Sequence, residues 1–503
     1  MAGTASDEDH TVSAALSQTD QPSSRPESMA DAPAWCQNVV KAGYIVWAIV
    51  AIVGFATLDF NLIDPVLQTG VLVAIVLPIA RRIARTDRDP AIFGFVMAAF
   101  TAKLLGAVAR DLVTNVYYNG VADANEYHSW GKQLVSSYRV FDFSPDIGEF
   151  SGTGFMRGLT GVIYSIAGTS KFGGFVIFSF FAFIGLLLFW RAFCHAVPGG
   201  DRRRYGLLVL FLPSLLYWPS ALGKDAWSVM GLGIASFGVS LILTRRPFKG
   251  ALAMALGLGS ITYVRPHVAL VVFCGLVLAA LVGRSKSRSG AAPFIRVFVF
   301  GALFLMGTVL ASQTSSFLGV DSLNTETVDA ELTKAEGRTD EAGSTFSPVR
   351  VNTPLDLPLA TVTVLFRPFP WEAHNAPAIG TSAEGVFLIW LSWRSRRRLL
   401  NIPRFMRREP YVAYCVGYLF VFVFAFSSFS NFGILARQRA QVMPAFLVML
   451  CLPERRRASH KRIDPTALDT SGAPLYPTGT GDDPYAALHE GPPNPYADPP
   501  DDD

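Results

Sequence analysis

Residues 172–193 read FGGFVIFSFFAFIGLLLFWRAF, with Arg191 as the single charge, and the cluster Arg202, Arg203 and Arg204 follows. A helix needs about 20 mostly apolar residues to cross the hydrocarbon core of a bilayer. A run of this length and purity predicts a transmembrane helix. The arginines behind it predict a cytoplasmic end, because Lys and Arg concentrate in cytoplasmic loops.

The same pattern repeats in both directions. Apolar runs at 43–58, 66–80, 92–112, 172–193, 205–218, 227–243, 251–264, 268–282, 295–311, 386–393 with its upstream flank, 411–427 and 442–452 predict about twelve spans. Basic clusters follow every second run: Arg81 to Arg88, Arg202 to Arg204, Arg245 to Lys249, Arg284 to Arg288, Arg394 to Arg408, and Arg455 to Arg462. One orientation therefore puts all of them in the cytoplasm together with both termini. Two further apolar stretches, 156–167 and 355–365, are too short to span. They are expected as interfacial or re-entrant segments on the outer face, where irregular backbone is tolerated beside protein or a wet cavity.

Composition agrees. Of 503 residues, 51% are apolar and 16% charged, and the mean hydropathy is +0.34, which places the chain outside the range of soluble enzymes. A net charge of +4 gives no reason to expect nucleic acid. The five cysteines fall in or beside apolar runs or on segments placed inside, so no disulfide framework is expected. The N-terminal stretch lacks the pattern of a cleavable signal peptide. Residues 1–40 and 454–503, the latter ending GTGDDPYAALHEGPPNPYADPPDDD, are too polar and Pro-rich to fold alone and are expected as disordered cytoplasmic tails flanking a transmembrane domain at 41–453.

Outer loops at 113–171 and 313–380 hold most of the unusual residues. The first contains VADANEYHSWGKQL, with Asp123, Glu126, Tyr127 and His128 in one helical turn. Asp123 and Glu126 three residues apart could hold a divalent cation such as magnesium or manganese, or one could act as a general base. A solvated helix start with Asp123 as its N-cap fits the spacing equally. In FLPSLLYWPSALGKDAW, residues 211–227, the outward helix start near Lys224 and Asp225 offers free amides and a cation to an anion, or is a tight turn capped by Asp225. Lys103, inside the third run, is expected to pair with Asp111. In the second loop a polar acidic stretch, 321–344, is read as mobile, and the aromatic segment RPFPWEAHN as rigid.

Arginines at outer membrane ends run against the positive-inside bias. They are Arg265 with His267 (YVRPHVAL), Arg367 (FRPFPWE), and Arg437 with Arg439 (LARQRAQVMP). A guanidinium matches phosphate bidentately. Headgroup snorkelling is the plain alternative for any one of them. Carboxylates, several cations and the aromatic segment on one face are what sugar transfer from a lipid-linked phosphate donor requires.

At this point the sequence resembles the GT-C class of membrane glycosyltransferases. The segment Asp123-Ala-Asn-Glu126-Tyr-His is similar to that class's Asp-bearing first outer loop, FMRGLTGVIYSIAGTSKFGGFVIFSFF to its juxtamembrane helix and turn, and LARQRAQVMPAFLVML to its late Arg-x-Arg segment. The likeness covers roughly 92–452. Two spans, 43–58 and 66–80, rather than one precede the span that leads to the Asp loop, and no adjacent Asp-Asp or Asp-x-Asp stands in that loop.

The resemblance implies a transferase of the bacterial plasma membrane that moves a sugar from a polyprenyl-phosphate donor to an envelope glycan, glycolipid or protein on the outer face. Asp123 then stands as base or metal ligand, with Glu126 second. Lys224, Arg265, His267, Arg367, Arg437 and Arg439 are expected around the donor phosphate, and Tyr127, His128, Asp225, Trp371 and Glu372 around the substrates. An envelope polysaccharide polymerase or ligase shares these features. A lipid or solute transporter would show internal repeats and midplane charges, and neither stands out here.

Overall fold

The quoted stretch lies in one helix, Lys171–Ala196, capped by the Ser170 hydroxyl, which accepts from the Gly173 amide. Its Phe175, Phe178, Phe183 and Leu186 are buried at the centre of the molecule. The computed structural model describes residues 28–454 except 121, 244–245, 283–291, 319–326, 328–329, 332, 334–345 and 352. Among these residues every regular element is a helix and there are no strands.

The helices in order are α1 Ala34–Thr57, α2 Phe60–Asp87, α3 Ala91–Leu112, α4 Asp123–Tyr138, α5 Gly152–Ala167, α6 Lys171–Ala196, α7 Arg202–Phe211, α8 Pro213–Tyr217, α9 Lys224–Leu243, α10 Pro247–Thr262, α11 Pro266–Val282 and α12 Ala292–Leu318. After the second outer loop come α13 Leu357–Phe366, α14 Ala376–Arg394, α15 Arg396–Leu399, α16 Ile402–Arg408, α17 Pro410–Phe426 and α18 Phe432–Leu450. Among the described residues, five helical segments are long and apolar enough to cross a membrane: Ala34–Thr57, Phe60–Asp87, Ala91–Tyr117, Lys171–Ala196 and Lys224–Leu243. The other seven expected spans also fall on helices, among them α12, 27 residues long, while α10, α11 and α17 have 16 or 17 residues. The short stretch 156–167 falls within α5, and 355–365 falls on the 3-10 turn Pro354–Asp356 and α13. Helix α1 leaves Tyr44, Ile45, Ile49, Ile52 and Phe55 exposed, an apolar face that a bilayer would cover.

The run 205–218 is broken in two. Leu212 is extended (φ −61°, ψ 129°), as the residue before Pro213 must be to avoid the proline ring. The short α8 then meets Pro219, which has no N–H to give to the carbonyl of Leu215. Buried Lys103 takes that place, its Nζ donating to Leu215 O at 2.7 Å, while Ser220 Oγ donates to Leu216 O at 2.5 Å. The expected Lys103–Asp111 pair is thus not formed; Asp111 accepts from Asn115 at 2.8 Å. Same-helix spacing suggested a pair, but carbonyls freed by a proline won the cation.

Helix α9 packs between α6 and α10. A Cβ on Gly233 would stand 2.1 Å from the carbonyl oxygen of Gly185, so α6 and α9 meet backbone to backbone. Small residues at the crossing permit that approach, as in membrane helix pairs. Helices α4 and α5 pack against each other and present the start of α4 to α9 and α18. The tails 1–27 and 455–503, most of the acidic stretch 321–344, and the basic residues Arg245, Arg284, Lys286, Arg288 and Arg455 to Arg462 lie outside the described residues.

Candidate functional site

Three helix starts converge beside two cavities. The N-cap of α4 is Ala122 and no side chain caps it, so Asp123 is not the cap that its position allowed. Its carboxylate, 56% exposed, accepts instead from Arg437 Nη2 of α18 at 3.2 Å. Arg437 also donates through Nε to Asp225 Oδ2, at the start of α9. Asp225 is buried, and its Oδ1 accepts from Arg265 Nη2 at 2.8 Å. Arg265, itself buried, donates through Nη1 to Gln438 at 3.1 Å. Lys224 Nζ donates to Thr153 Oγ1 at 3.0 Å, tying α9 to α5.

A buried carboxylate is tolerated only when its charge is matched and its lone pairs are occupied. Asp225 meets both conditions through two guanidiniums, so it holds Arg265 and Arg437 in place rather than capping its own helix. Around Asp123 and Asp225 stand Lys224, Arg265 and Arg437: three cations to two carboxylates.

One cavity, of about 350 Å³, is lined by Asp123, Lys224, Arg265, His267, Arg437 and Gln438 among others. A second, of about 290 Å³, is lined by Arg110, Tyr118, Asp123, Trp218, Asn431 and Arg437 among others. Asp123 and Arg437 form the wall common to both. The first holds Lys224 and Arg265 beside Arg437, together with the rings of Phe426 and Phe429, and the second holds Tyr118 and Trp218 together with Arg110 and Arg437. We call them the cationic cavity, after Lys224 and Arg265, and the aromatic cavity, after Tyr118 and Trp218.

The remaining candidates divide. Tyr127 is buried beneath the start of α4; burial, reinforced by the Asp123 charge, pushes its phenol up to about 12, so it is a neutral support. His128 turns towards α5, its Nδ1 2.9 Å from Tyr164 Oη. Burial and then Lys132 and Lys171 press its imidazole down to about 4. Glu126 is engaged by Arg157 at 2.5 Å, and Arg157 lies over the Trp130 ring. Asp123 and Glu126 are each held by a different arginine, Arg437 and Arg157. No group of three or more His, Cys, Asp or Glu side chains that could hold a metal occurs among the described residues.

Neither Arg367 nor Arg439 lines these two cavities. Arg367 Nε donates to both Glu372 oxygens, at 3.0 and 3.1 Å, and the guanidinium lies against the rings of Phe346 and Phe432. Burial alone would raise the Glu372 carboxyl, but hydrogen bonds from Arg367 and the Phe369 amide hold it below the ordinary carboxylate range. Trp371 stacks on Phe369 and is otherwise exposed. Arg439, fully buried, donates to the carbonyls of Leu365 at 2.7 Å and Arg367 at 3.1 Å. It fastens α18 to the end of α13. Residues two apart on a helix lie about 200° apart, so Arg437 and Arg439 cannot serve one pocket.

Sequence reading missed Gln438, Asn431, Trp218, Tyr118 and Arg110. Arg110 carried a usable signal, since it stands near the end of its run opposite the Arg81 cluster, as the outer arginines do. Compared with known proteins, the chain matches no family model, no curated protein and no solved structure.

Proposed function

We propose that this chain is a membrane glycosyltransferase that moves a sugar from a polyprenyl-phosphate donor to an envelope glycan, glycolipid or protein acceptor. In this reading it spans the bacterial plasma membrane about twelve times, with both termini cytoplasmic and the two cavities facing outward. The observation that carries it is the position of Asp123 in the wall between two cavities, one holding Lys224 and Arg265 and the other Tyr118 and Trp218.

The chemistry follows from the compartments. The donor phosphate lies among Lys224, Arg265 and Arg437, whose charges stabilise the leaving group as its negative charge grows. The acceptor hydroxyl enters from the aromatic side and gives its proton to Asp123. Its oxygen then bonds to the anomeric carbon of the donor sugar, and the bond from that carbon to the phosphate oxygen breaks. The polyprenyl phosphate leaves with the electron pair. Asp225 takes no proton in this scheme and positions the two arginines. No step is routed through a metal ion, because Asp123 and Glu126 face different partners.

A second reading keeps the same residues. Three cations around one cavity are more than a monophosphate needs, which favours a pyrophosphate-linked donor and hence a polysaccharide polymerase or ligase. Purified protein in nanodiscs, given short-chain polyprenyl-phosphate and polyprenyl-pyrophosphate sugars, separates the two by which lipid phosphate is released.

Asp123→Asn tests the shared core of both readings. General-base assistance is worth on the order of a hundred- to ten-thousand-fold in rate. The variant is expected to insert and melt like the parent, since no helix cap depends on the carboxylate, and to transfer sugar slower by that factor. Undiminished turnover in Asp123→Asn would remove the carboxylate from the chemistry.

A further inference from the structure

Arg110 stands near the end of α3 and lines the aromatic cavity. Its Nη1 donates to Tyr217 Oη at 2.9 Å, and its guanidinium carbon lies 4.9 Å from the Tyr217 ring centre and 5.0 Å from that of Trp218. Nε is buried without a partner, and Nη2 has no protein hydrogen bond among the described residues. The other cation of this cavity, Arg437, is committed to Asp225 and Asp123. Among the described residues Arg110 has no carboxylate partner. A guanidinium oriented by two rings and one hydroxyl, with Nη2 left to donate, can receive an oxyanion entering the cavity.

We propose that the aromatic cavity is an acceptor subsite for an anionic sugar, whose carboxylate or phosphate binds Arg110 while its ring packs against Trp218 and Tyr118. This rests on the transferase reading, which fills the cationic cavity with the donor and leaves this one to the acceptor. Asp123, on the shared wall, is then placed to receive the proton of a hydroxyl belonging to the sugar that Arg110 holds. The acceptor class becomes an acidic glycan or glycolipid, a uronate or a phosphorylated sugar, rather than a neutral one.

Saturation-transfer NMR on the full chain in nanodiscs tests this with four probes: a glucuronate-containing disaccharide, glucose 6-phosphate, neutral maltose, and farnesyl phosphate for the cationic cavity. At least one acidic sugar is expected to bind the wild-type protein about ten- to a hundred-fold tighter than maltose, the span of one charge-assisted hydrogen bond. Which acid prevails distinguishes carboxylate from phosphate. Arg110→Gln is expected to erase the preference, Arg110→Lys to keep part of it, and farnesyl phosphate to bind all three proteins alike. Equal binding of acidic and neutral sugars, absence of saturable binding by either acid, or an acid preference that survives in Arg110→Gln each overturns the proposal. So does loss of farnesyl phosphate binding in Arg110→Gln, which would assign the guanidinium to the donor. Failure of farnesyl phosphate to bind the wild-type protein is a different result. It strikes the transferase reading while leaving an acid-selective Arg110 standing.

Discussion

Arg437 carries two carboxylates on one guanidinium, Asp225 on Nε and Asp123 on Nη2. A lysine offers a single compact charge and cannot span both. Arg437→Lys is therefore expected to raise the KM for a lipid-linked donor roughly tenfold or more, the worth of one charge-assisted contact. Arg367→Lys is expected to leave turnover near the parental value and to lower the melting temperature, because that guanidinium holds Glu372 and the rings of Phe346 and Phe432. Steady-state kinetics and thermal unfolding of both variants check the split; an Arg367→Lys protein that melts normally but loses donor use would return Arg367 to the site. His128 gives a pH test. Its folded value of about 4 lies below the ordinary 6.5 because burial and then Lys132 and Lys171 disfavour the cation. The unfolded chain therefore binds the extra proton first. This contribution to stability is complete above about pH 6.5 and is lost as pH falls towards 4. Melting temperatures across that window are expected to fall less steeply in His128→Gln than in the parent, and parallel slopes would count against the burial account. At this scale the sequence showed which residues were unusual but not which of them meet. Asp225, Arg265 and Arg437 are far apart in the chain, and nothing local to any of them announces the other two.

Helix α9 connects the site to the membrane interior. Lys224 and Asp225 stand at its start, and Gly233 further along lies against the backbone of α6. A side chain at Gly233 would have to push the two helices apart, since the obstructing atom is a carbonyl oxygen and not a flexible side chain. Gly233→Leu is expected to destabilise by at least the ~1–3 kcal/mol typical of overpacking, and to shift Asp225 relative to α18. Activity should fall with it, and Gly233→Ala should lie between. A Gly233→Leu protein with parental melting temperature and turnover would mean that the two helices do not touch there. Elements of this kind were legible because hydropathy and proline are local signals: α6, α2 and α3 follow their apolar runs, and Pro213 and Pro219 mark the break in 205–218. Helix ends were less so. The start of α1 lies nine residues before the apolar run at 43–58, because Gln37, Asn38 and Lys41 lie within the helix and interrupt the hydropathy. The expected pair Lys103–Asp111 failed for a related reason: the carbonyl of Leu215 is a partner only after the chain has folded around Pro219.

Across the whole molecule, the transferase reading depends on which side of the membrane the two cavities face. Helices such as α11, 17 residues long, rise only about 25 Å, less than the ~30 Å of a typical hydrocarbon core. Length alone cannot fix how many helices cross, so the orientation rests on charge. Arg394, Arg396, Arg397, Arg398, Arg404, Arg407 and Arg408 surround one inter-helix segment, which the proposed orientation, following the positive-inside rule, places in the cytoplasm. In that orientation Asp123 and the α4–α5 connection fall on the other side, as the proposed use of a lipid-linked donor on the outer face requires. Leu400, 80% exposed within the basic segment, and Ser144, exposed between α4 and α5, are suitable reporters, because a cysteine at either disturbs no packing. In intact cells a membrane-impermeant thiol reagent is expected to label Ser144→Cys and to spare Leu400→Cys until the membrane is opened. The three buried native cysteines, Cys36, Cys415 and Cys451, should stay silent in both variants. Labelling of Leu400→Cys from outside, with Ser144→Cys protected, would turn the cationic cavity towards the cytoplasm. The cluster of Lys224, Arg265 and Arg437 would then face soluble phosphates, and a polyprenyl-phosphate donor would lose its claim on the site, whatever the chemistry of Asp123.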